Sequence, residues 1–473
     1  MRLGAPTGLV VFGMAFLVYV WCANGVYATD HATTFIQLDY SLWSRHSISL
    51  GDVGSLVPNS VDDLVYNGRY YSALAPGTAF LALPFMGVAF VLQGGYSEFG
   101  TSLLMAGVFE SLAGAFAAFL VYKIARLHFR ESTSVFLSFS FAFSTIAWPF
   151  ATYFFQSDVS AAFVLLAVWF AVRAGRSDGS SQRFWLYCGL ATSIAFTVDY
   201  VNGVLVPIFA AYLILSQRKD GWRPVRRLPL FLVASFVGFA AIGAYDHVAF
   251  GNPFLTTEAA YSQSGTALDS FDFPVYLGVF LNLFTPLRGL FLFAPLTFLG
   301  QFGFFDGLSE KGRRGEYALF LAVFWGILLP YSAWHEPLGG LSFGPRFIVP
   351  AIPFMILPIG ILMEKSGMLL RGLVYCLYGA GVFINGPAAL ISAITPGDDW
   401  GSSPFVDSIL PRLSSGELDT FWAGHAGQLW PIFAALIIGS ALVLPLWLHR
   451  SGAVDERVGS VVDEMRGQKA VQK

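Results

Sequence analysis

Long apolar runs without a charged residue recur along this sequence of 473 residues, among them residues 231–245, 317–332 and 431–448. A bilayer core of about 30 Å needs roughly 20 apolar residues per helix, and these runs approach or meet that length. Charged residues make up only 12% of the chain, which is about half their share in a soluble domain. The runs are continuously apolar and do not alternate as barrel strands do. The sequence therefore predicts an all-α polytopic membrane protein.

Several function classes are excluded by charge and motif content. The net charge of −3 offers no basic surface for nucleic acid, and no phosphate-cradling glycine loop of the Walker or Rossmann type occurs. Cys22, Cys188 and Cys376 lie in apolar runs without metal-ligand spacing, so we interpret them as small hydrophobic residues.

The basic residues predict a topology, because cytoplasmic loops of membrane proteins are enriched in lysine and arginine. All but five of the 27 basic residues fall on one side, which is then cytoplasmic together with both termini, if about twelve helices cross the membrane. The apolar stretch 78–93 must then be an interfacial or re-entrant helix after Pro76-Gly77. The expected helices lie near 7–26, 100–122, 133–149, 158–175, 184–198, 200–216, 228–247, 287–305, 317–333, 346–364, 371–393 and 428–448.

Residues 1–448 form one transmembrane module in this scheme, and 449–473 are a polar cytoplasmic tail that we expect to be disordered. The first outer loop, 27–99, is the longest and carries interfacial helices. The outer side also collects most of the acidic residues, including Asp39, Asp52 and Asp398. Long ordered loops usually carry function, so chemistry is expected there. The further outer loops are 248–286, 334–345 and 395–427.

The first outer loop begins with an amphipathic pattern, DHATTFIQLDYSLW, which predicts a helix lying on the membrane. Asp30 stands at its start, where it either caps the helix or performs chemistry. Further on, Asn67-Gly68 predicts a hairpin with a tight primed turn. The tyrosines beside it, Tyr66, Tyr70 and Tyr71, serve either as interfacial anchors or as contacts to a sugar.

Two arginines at predicted outer helix ends, Arg288 and Arg346, are candidate phosphate ligands, although arginines that snorkel to lipid headgroups give the same pattern. His335 and Glu336 precede Arg346 in a turn rich in glycine and proline, but no third metal ligand follows at a recognisable spacing. A carboxylate at membrane depth is costly and by default functional. Three acids have such positions: Glu110, Asp158 and Asp199.

The segments YNGRYYSALAPG at 66–77, FGNPFLTT at 250–257, TPLRGLFLFAP at 285–295 and GGLSFGPRFIVPAIP at 339–353 complete the organisation. With an acid shortly after the first helix, the chain resembles the GT-C superfamily of membrane glycosyltransferases. The resemblance is to the branch with protein O-mannosyltransferases and the lipid A aminoarabinose transferase. One departure is that Leu74-Ala75 stands before Pro76-Gly77, where that transferase has Glu-Lys, so its phosphate-binding lysine is absent and Arg69, Arg288 or Arg346 must replace it.

The resemblance implies inverting sugar transfer from a polyprenyl-phosphate donor to a glycan, lipid or protein acceptor on the extracytoplasmic face of the cell membrane. Asp30 matches the superfamily's first-loop acid, which acts as general base or positions the acceptor, and it is the expected catalytic residue. No cofactor is fixed by the resemblance, and a divalent metal stays open. The expected substrate-binding residues are Asp63, Arg69, Tyr70, Tyr71, Asp158, Arg288, His335, Glu336 and Arg346.

Two other classes of protein fit the same helix pattern. A transporter or a lipid or glycolipid flippase also presents about twelve helices with polar groups at membrane depth, but such proteins often have two related halves. The unequal outer loops argue against that symmetry. A non-catalytic membrane scaffold would not require Asp30 and the arginines to converge on one site.

Overall fold

The computed structural model describes residues 5–25, 29–51, 60–177, 182–217, 223–262, 269–392, 394, 401–423 and 432–449. The predicted cytoplasmic tail after His449, and the acids Asp52 and Asp398, lie outside these residues. The first part of the chain contains α1 (Ala5–Cys22), α2 (Asp30–Arg45), β1 (Asp63–Tyr66), β2 (Arg69–Ser72), α3 (Gly77–Gln93), α4 (Glu98–Ser102), a π-helical segment (Leu103–Glu110), α5 (Ser111–Ala125), α6 (Glu131–Phe143), α7 (Ala147–Phe150) and α8 (Gln156–Arg176).

The second part continues from the cytoplasmic end predicted for α8. Its elements are α9 (Gln182–Val198), a 3-10 helix (Tyr200–Val204), α10 (Leu205–Ser216), α11 (Arg223–Phe250), α12 (Thr257–Tyr261), α13 (Val275–Phe284), α14 (Leu290–Phe293), α15 (Thr297–Ser309), α16 (Arg314–Ala333), a 3-10 helix (Arg346–Ala351), α17 (Ile352–Ile356), α18 (Ile359–Lys365), α19 (Met368–Ile391), a π-helical segment (Pro404–Ile409), α20 (Leu410–Ser414) and α21 (Ile432–His449).

The helical membrane-protein class is confirmed. Within the described residues, seven helical stretches are long and apolar enough to cross a membrane. Shorter apolar helices accompany them at Thr7–Cys22, Gly77–Gln93, Tyr200–Ser216 and Val275–Phe284. The count of twelve spans therefore stays a prediction. The seven long stretches are Glu98–Ala125, Gln156–Arg176, Pro224–Phe250, Arg314–Ala333, Arg346–Lys365, Met368–Ile391 and Ile432–His449.

The main core lies where α1, α5, α6, α8 and α9 pack against one another. Small residues allow the close approach, as at Gly189, where an added Cβ would lie 2.5 Å from the carbonyl oxygen of Phe231 in α11. Side chains of Tyr19 and Trp148 are fully buried in this core. The bundle therefore has the dense packing that membrane helices achieve with glycine and alanine at their contacts.

Two of the predicted helices are broken. In addition, a helix that was not predicted lies in a segment predicted to be a loop. The stretch expected as one helix over 346–364 is a 3-10 helix followed by α17 and α18, because Pro350, Pro353 and Pro358 remove backbone donors within it. The stretch expected over 287–305 is divided between α14 and α15. The segment 248–286, predicted to be an outer loop, contains α13, which forms ten residues of apolar helix. The assignment of this segment to the outer side stays a prediction.

The predicted hairpin is present. Strands β1 and β2 pair antiparallel with Tyr66 opposite Arg69, and Asn67 and Gly68 have φ values of 49° and 74°. The primed turn demands positive φ at both positions, which asparagine and glycine tolerate best. The hairpin stands beside α11 and α12, because the ring of Tyr66 contacts Phe250 edge-on at 5.1 Å.

The amphipathic pattern of α2 predicted a helix on a surface with one face exposed, but α2 is not exposed in this way. Residues on all its sides are buried, including Phe35, Ile36, Gln37 and Asp39. Its neighbour is α3, which follows Pro76 and covers α2 with small residues such as Ala79 and Ala82. The start of α2 forms one wall of the cavity described below, and α3 packs against α2.

Candidate active site

One large cavity, of about 1180 Å³, lies beside the beginning of α2. Its walls come from segments far apart in the sequence, which is why no single motif outlines it. They are the start of α2, the approach to β1, the start of α8, the turn between α9 and α10, α12, the end of α16 and the turn 334–347. Of the residues proposed from the sequence, the cavity is lined by Asp30, His335, Glu336 and Arg346.

Arg346 presents a buried guanidinium at this cavity. Its Cζ lies 5.0 Å from the ring centre of Phe155 and 4.8 Å from that of Phe347. Within the described part of the chain, the guanidinium makes no ion pair or hydrogen bond with a protein acceptor. Gly339 allows the approach, because a Cβ there would lie 3.0 Å from the Arg346 side chain, and its φ of +72° suits glycine. A buried cation of this kind needs an anionic partner.

A stack of rings and a carboxylate continue from Arg346 along the wall. Phe347 stacks on Tyr331 with ring centres 4.6 Å apart. The hydroxyl of Tyr331 donates a hydrogen bond to the carboxylate of Asp199, whose other oxygen caps the following 3-10 helix through Val201 N. These bonds fix the rings, so the arginine side chain is held in one direction.

Asp30 is the first residue of α2, but it does not cap the helix as proposed. The hydroxyl of Thr29 caps it, accepting a hydrogen bond from Ala32 N at 2.9 Å. Asp30 is exposed to the cavity and accepts a long hydrogen bond, 3.4 Å, from Val61 N. A carboxylate at this place is compatible with the dipole of α2. The capping explanation for Asp30 is thereby removed.

Acidic and imidazole side chains surround the rest of the cavity. His31 Nδ1 lies 2.7 Å from Asp62 Oδ2. Burial raises the pKa of Asp62, but the opposite effect of His31 and Arg346 is larger, so the net pKa lies below its ordinary value. Burial, followed by repulsion from Asp62 and Glu336, raises the pKa of Glu258 to about 7. Among the described residues, the cavity lining thus contains one permanent cation and several carboxyl groups.

Comparison with known proteins identifies the architecture. Residues 84–244 match the family described as dolichyl-phosphate-mannose-protein mannosyltransferase. ArnT from Cupriavidus metallidurans bound to undecaprenyl phosphate has a similar structure, with 14% identity, a TM-score of 0.56, and coverage of 95% of this chain and 76% of that one. The chain is therefore similar to this family over those residues and shares the fold of that structure. The glycosyltransferase class expected from the sequence is confirmed by these matches.

Two further GT-C structures support the fold. ArnT from the same organism in the apo state has a TM-score of 0.51 at 16% identity, covering 95% of this chain and 76% of that one. Oligosaccharyltransferase AglB from Archaeoglobus fulgidus, in complex with an inhibitory peptide and a dolichol-phosphate, has a TM-score of 0.50 at 10% identity, with coverage of 81% and 55%. No curated protein matches the sequence. The transporter interpretation is not favoured by these comparisons.

The hairpin residues are not brought to the GT-C cavity. Arg69 and Tyr70 are exposed on β2, and Tyr71 is buried edge-on against Phe250. Asp63 fixes the start of the hairpin, because it accepts hydrogen bonds from the Thr34 hydroxyl and from Ser60 N, both at 3.0 Å. None of these four residues lines the cavity beside α2.

Asp158 and Arg288 are buried away from the cavity lining. Neither carboxylate oxygen of Asp158 has a hydrogen-bond partner among the described residues. Arg288 lies in the break between α13 and α14, where its backbone nitrogen donates to the Thr285 hydroxyl at 3.4 Å. Neither residue is part of the cavity lining.

No group of three or more histidine, cysteine, aspartate or glutamate side chains is arranged to hold a metal ion, as far as the described ranges extend. His335 and Glu336 both line the cavity, and the His335 ring lies 4.9 Å from that of Trp334. The backbone of this turn is fixed by His335 N, which donates to Ser270 O at 2.9 Å. The turn therefore places both side chains at the cavity without completing a metal site.

Sequence reasoning missed several cavity residues. His31 follows Asp30 directly, yet its partner Asp62 is 31 positions away. Glu258 follows the FGNPFLTT segment, and the helix start there was the available signal. Tyr331 lies inside an apolar run, so only its hydrogen bond to Asp199 reveals that it faces a polar site.

Proposed function

We propose that this chain is a polyprenyl-phosphate-sugar-dependent glycosyltransferase that uses the cavity beside α2 and inverts the anomeric carbon. The single observation that carries the proposal is the buried Arg346 guanidinium, which faces a large cavity without a protein acceptor among the described residues. The ArnT structure has undecaprenyl phosphate bound, and the AglB structure is a complex with a dolichol-phosphate. A phosphate of that class fits the guanidinium.

Arg346 binds the donor phosphate in this mechanism. A guanidinium offers two parallel donors to two phosphate oxygens, and charge-assisted bonds of this kind are about twice as strong as neutral ones. Phe155 and Phe347 pack against the arginine and exclude water from it. Electrostatic stabilisation is strongest in such a desolvated site. Arg346 therefore replaces the lysine that is absent before Pro76.

Asp30 contacts the acceptor. In the inverting step, the acceptor oxygen attacks the anomeric carbon from the face opposite the phosphate. The bond between that carbon and the phosphate oxygen breaks, and its electron pair leaves with the phosphate. An ionised carboxylate can only accept hydrogen bonds, so Asp30 suits contact with the attacking hydroxyl. The extra charge on the departing phosphate is stabilised by Arg346.

The acceptor is a glycan, lipid or protein at the extracytoplasmic face, which is where the distribution of basic residues puts this cavity. Both termini are then cytoplasmic, and the protein resides in the plasma or inner membrane. Contact with the bilayer suits the donor, because its polyprenyl chain stays in the hydrocarbon while its phosphate reaches Arg346.

The test is to incubate the purified protein with a panel of radiolabelled polyprenyl-phosphate sugars and membrane extracts as acceptors. Release of free polyprenyl phosphate together with labelled acceptor is the expected result, and Arg346→Gln is expected to abolish it. Arg412→Gln is the matched control. Arg412 does not line the cavity, and it forms an ion pair with Glu417 at a distance of 2.6 Å. Release from no donor in the panel, or movement of intact donor across a vesicle membrane, would contradict the proposal.

A further inference from the structure

His31 is held against a carboxylate and an aromatic ring at the edge of the cavity. Its Nδ1 lies 2.7 Å from Asp62 Oδ2, and its ring stacks on that of Phe155 with centres 4.8 Å apart and an interplanar angle of 6°. The side chains of His31 and Asp62 are 14% and 16% exposed, so both are mostly shielded from water yet still accessible. The imidazole therefore has one defined orientation.

The backbone on both sides of this pair is fixed. On one side, the hydroxyl of Thr29 caps the start of α2, next to His31, by accepting a hydrogen bond from Ala32 N. Asp62 is attached to the end of the hairpin, because its carbonyl accepts from Ala73 N at 2.9 Å, and its nitrogen donates to the Ser60 hydroxyl at 3.1 Å. Two separate segments of the first loop are thus joined by the His31–Asp62 contact.

The orientation of the ring determines which nitrogen faces the reaction. When the neutral imidazole carries its proton on Nδ1, the nitrogen 2.7 Å from Asp62 Oδ2, Nε2 is left as a hydrogen-bond acceptor. A carboxylate neighbour also stabilises the imidazolium that forms when Nε2 takes a proton. Both properties are those of an oriented general base, whereas among the described residues the Asp30 carboxylate makes only the long hydrogen bond from Val61 N.

We propose that His31 is the base that removes the acceptor proton and that Asp62 is the residue that positions it. The inference rests on the proposed glycosyl transfer. The acceptor hydroxyl gives its proton to His31 Nε2 as its oxygen bonds to the anomeric carbon, and the phosphate leaves with the electron pair of the broken bond. Asp30 keeps the role of holding the acceptor, and the proton later passes from His31 to solvent.

The position of Arg346 agrees with this division of roles. His31 and Arg346 contact the same Phe155 ring, so the base and the phosphate-binding cation lie within the span of one bound sugar and its phosphate. The pair carries no net charge when Nε2 is protonated, which limits repulsion from the cation. The other titratable groups at the cavity around His31 are Asp30, Asp199, Tyr200, Glu258, Tyr261, Tyr331, His335, Glu336 and Arg346.

The experiment compares His31→Asn with His46→Asn in the full-length protein. Asparagine at position 31 retains a group that reaches Asp62 but supplies no basic nitrogen, so turnover should fall by about 10²–10⁴-fold while the donor KM changes little. His46 terminates the same helix, is exposed and lies outside the cavity lining, so its variant should transfer sugar normally.

Two further measurements separate a base from a structural residue. Activity of His31→Ala should be partly restored by added imidazole. Asp62→Asn should lower turnover while the donor KM stays near that of the wild type, because the ring loses the carboxylate that positions it. Failure of the wild type to transfer any sugar overturns the proposed function itself. Wild-type transfer combined with near-normal His31→Asn turnover, or with no imidazole rescue of His31→Ala and wild-type turnover of Asp62→Asn, overturns the His31 assignment alone.

Discussion

The carboxylate of Glu110 accepts a hydrogen bond from the backbone nitrogen of Phe155 at 3.2 Å. Glu110 is fully buried at the end of the π-helical segment, and Phe155 immediately precedes α8. Because the Phe155 ring contacts both His31 and Arg346, this bond connects a buried acid to the cavity that it does not line. Glu110, to which the sequence assigned no role, is therefore a positioning residue.

Replacing Glu110 tests that connection. Glu110→Gln keeps a carbonyl oxygen that accepts from Phe155 N, so we expect transfer activity close to that of the wild type. Glu110→Ala leaves the buried backbone amide of Phe155 without its acceptor, which costs about 1–3 kcal/mol of stability. The Phe155 ring, against which Arg346 packs, then becomes less firmly held. Its donor KM should rise, as measured in steady-state kinetics at a temperature well below the melting point of both variants. Equal kinetics for the two variants would dissociate Glu110 from the site.

Arg346→Lys tests the fork that holds the donor phosphate. Lysine keeps the charge but loses the bidentate geometry and the planar contact with Phe155 and Phe347, so the donor KM should rise by about tenfold or more. Arg412→Lys, on an exposed ion pair, should leave it unchanged. If Arg346→Lys has wild-type donor kinetics, Arg346 does not bind the donor phosphate.

Single cysteines test the topology. In a background without Cys22, Cys188 and Cys376, we expect Ser49→Cys and Gln93→Cys to react with a membrane-impermeant thiol reagent added outside intact cells. Both positions lie in the first outer loop if α3 does not cross the membrane, as the distribution of basic residues requires. Protection of Gln93→Cys until the cells are permeabilised would show that α3 crosses, and every later loop would change sides.

Asp39 provides a test by stability. It is fully buried in α2, neither oxygen has a hydrogen-bond partner among the described residues, and burial raises its pKa well above the ordinary value. The native state then retains a proton that the unfolded chain releases, so Asp39 makes stability fall as pH rises above the ordinary carboxyl pKa. The advantage of Asp39→Asn over the wild type should grow by up to about 1.4 kcal/mol per pH unit.

Thermal melts of the detergent-solubilised protein at pH 5 and pH 8 measure that difference. Asp272→Asn, which changes an exposed carboxylate, should show no pH-dependent advantage. An Asp39→Asn protein that melts below the wild type at both pH values would indicate that the carboxylate has a partner supplied by another part of the chain, and the burial argument would then fail.

What the sequence predicted correctly was local. Asn67-Gly68 specifies its turn through backbone conformations that few other residue pairs adopt, and the hairpin is present. Arg346 was singled out because a guanidinium at the outer end of a helix offers bidentate donors to a phosphate; it lines the cavity, and its role stays a prediction. The helix breaks also have a local cause, since Pro350 and Pro358 interrupt the segment after Arg346. They were not predicted, because hydropathy alone does not indicate where a helix is interrupted.

What could not be predicted depends on the tertiary structure. The contact between His31 and Asp62 joins α2 to the hairpin, and periodicity within either segment carries no information about it. Likewise, the amphipathic pattern of α2 predicted that the helix lies on the membrane surface, because the sequence does not reveal that α3 covers it. Polar residues such as Gln37 are buried there by neighbouring protein.

Asp30→Asn separates the two candidates for the acceptor proton. Because Thr29 caps α2, the substitution should leave the melting temperature near that of the wild type, and asparagine also suits the first turn of a helix. If the carboxylate only holds the acceptor, its removal should raise the acceptor KM by about tenfold to a hundredfold and leave kcat nearly unchanged. If Asp30 is itself the base, turnover should fall by about 10²–10⁴-fold. We expect the first result. The second would show that Asp30, the catalytic residue expected from the sequence, removes the acceptor proton.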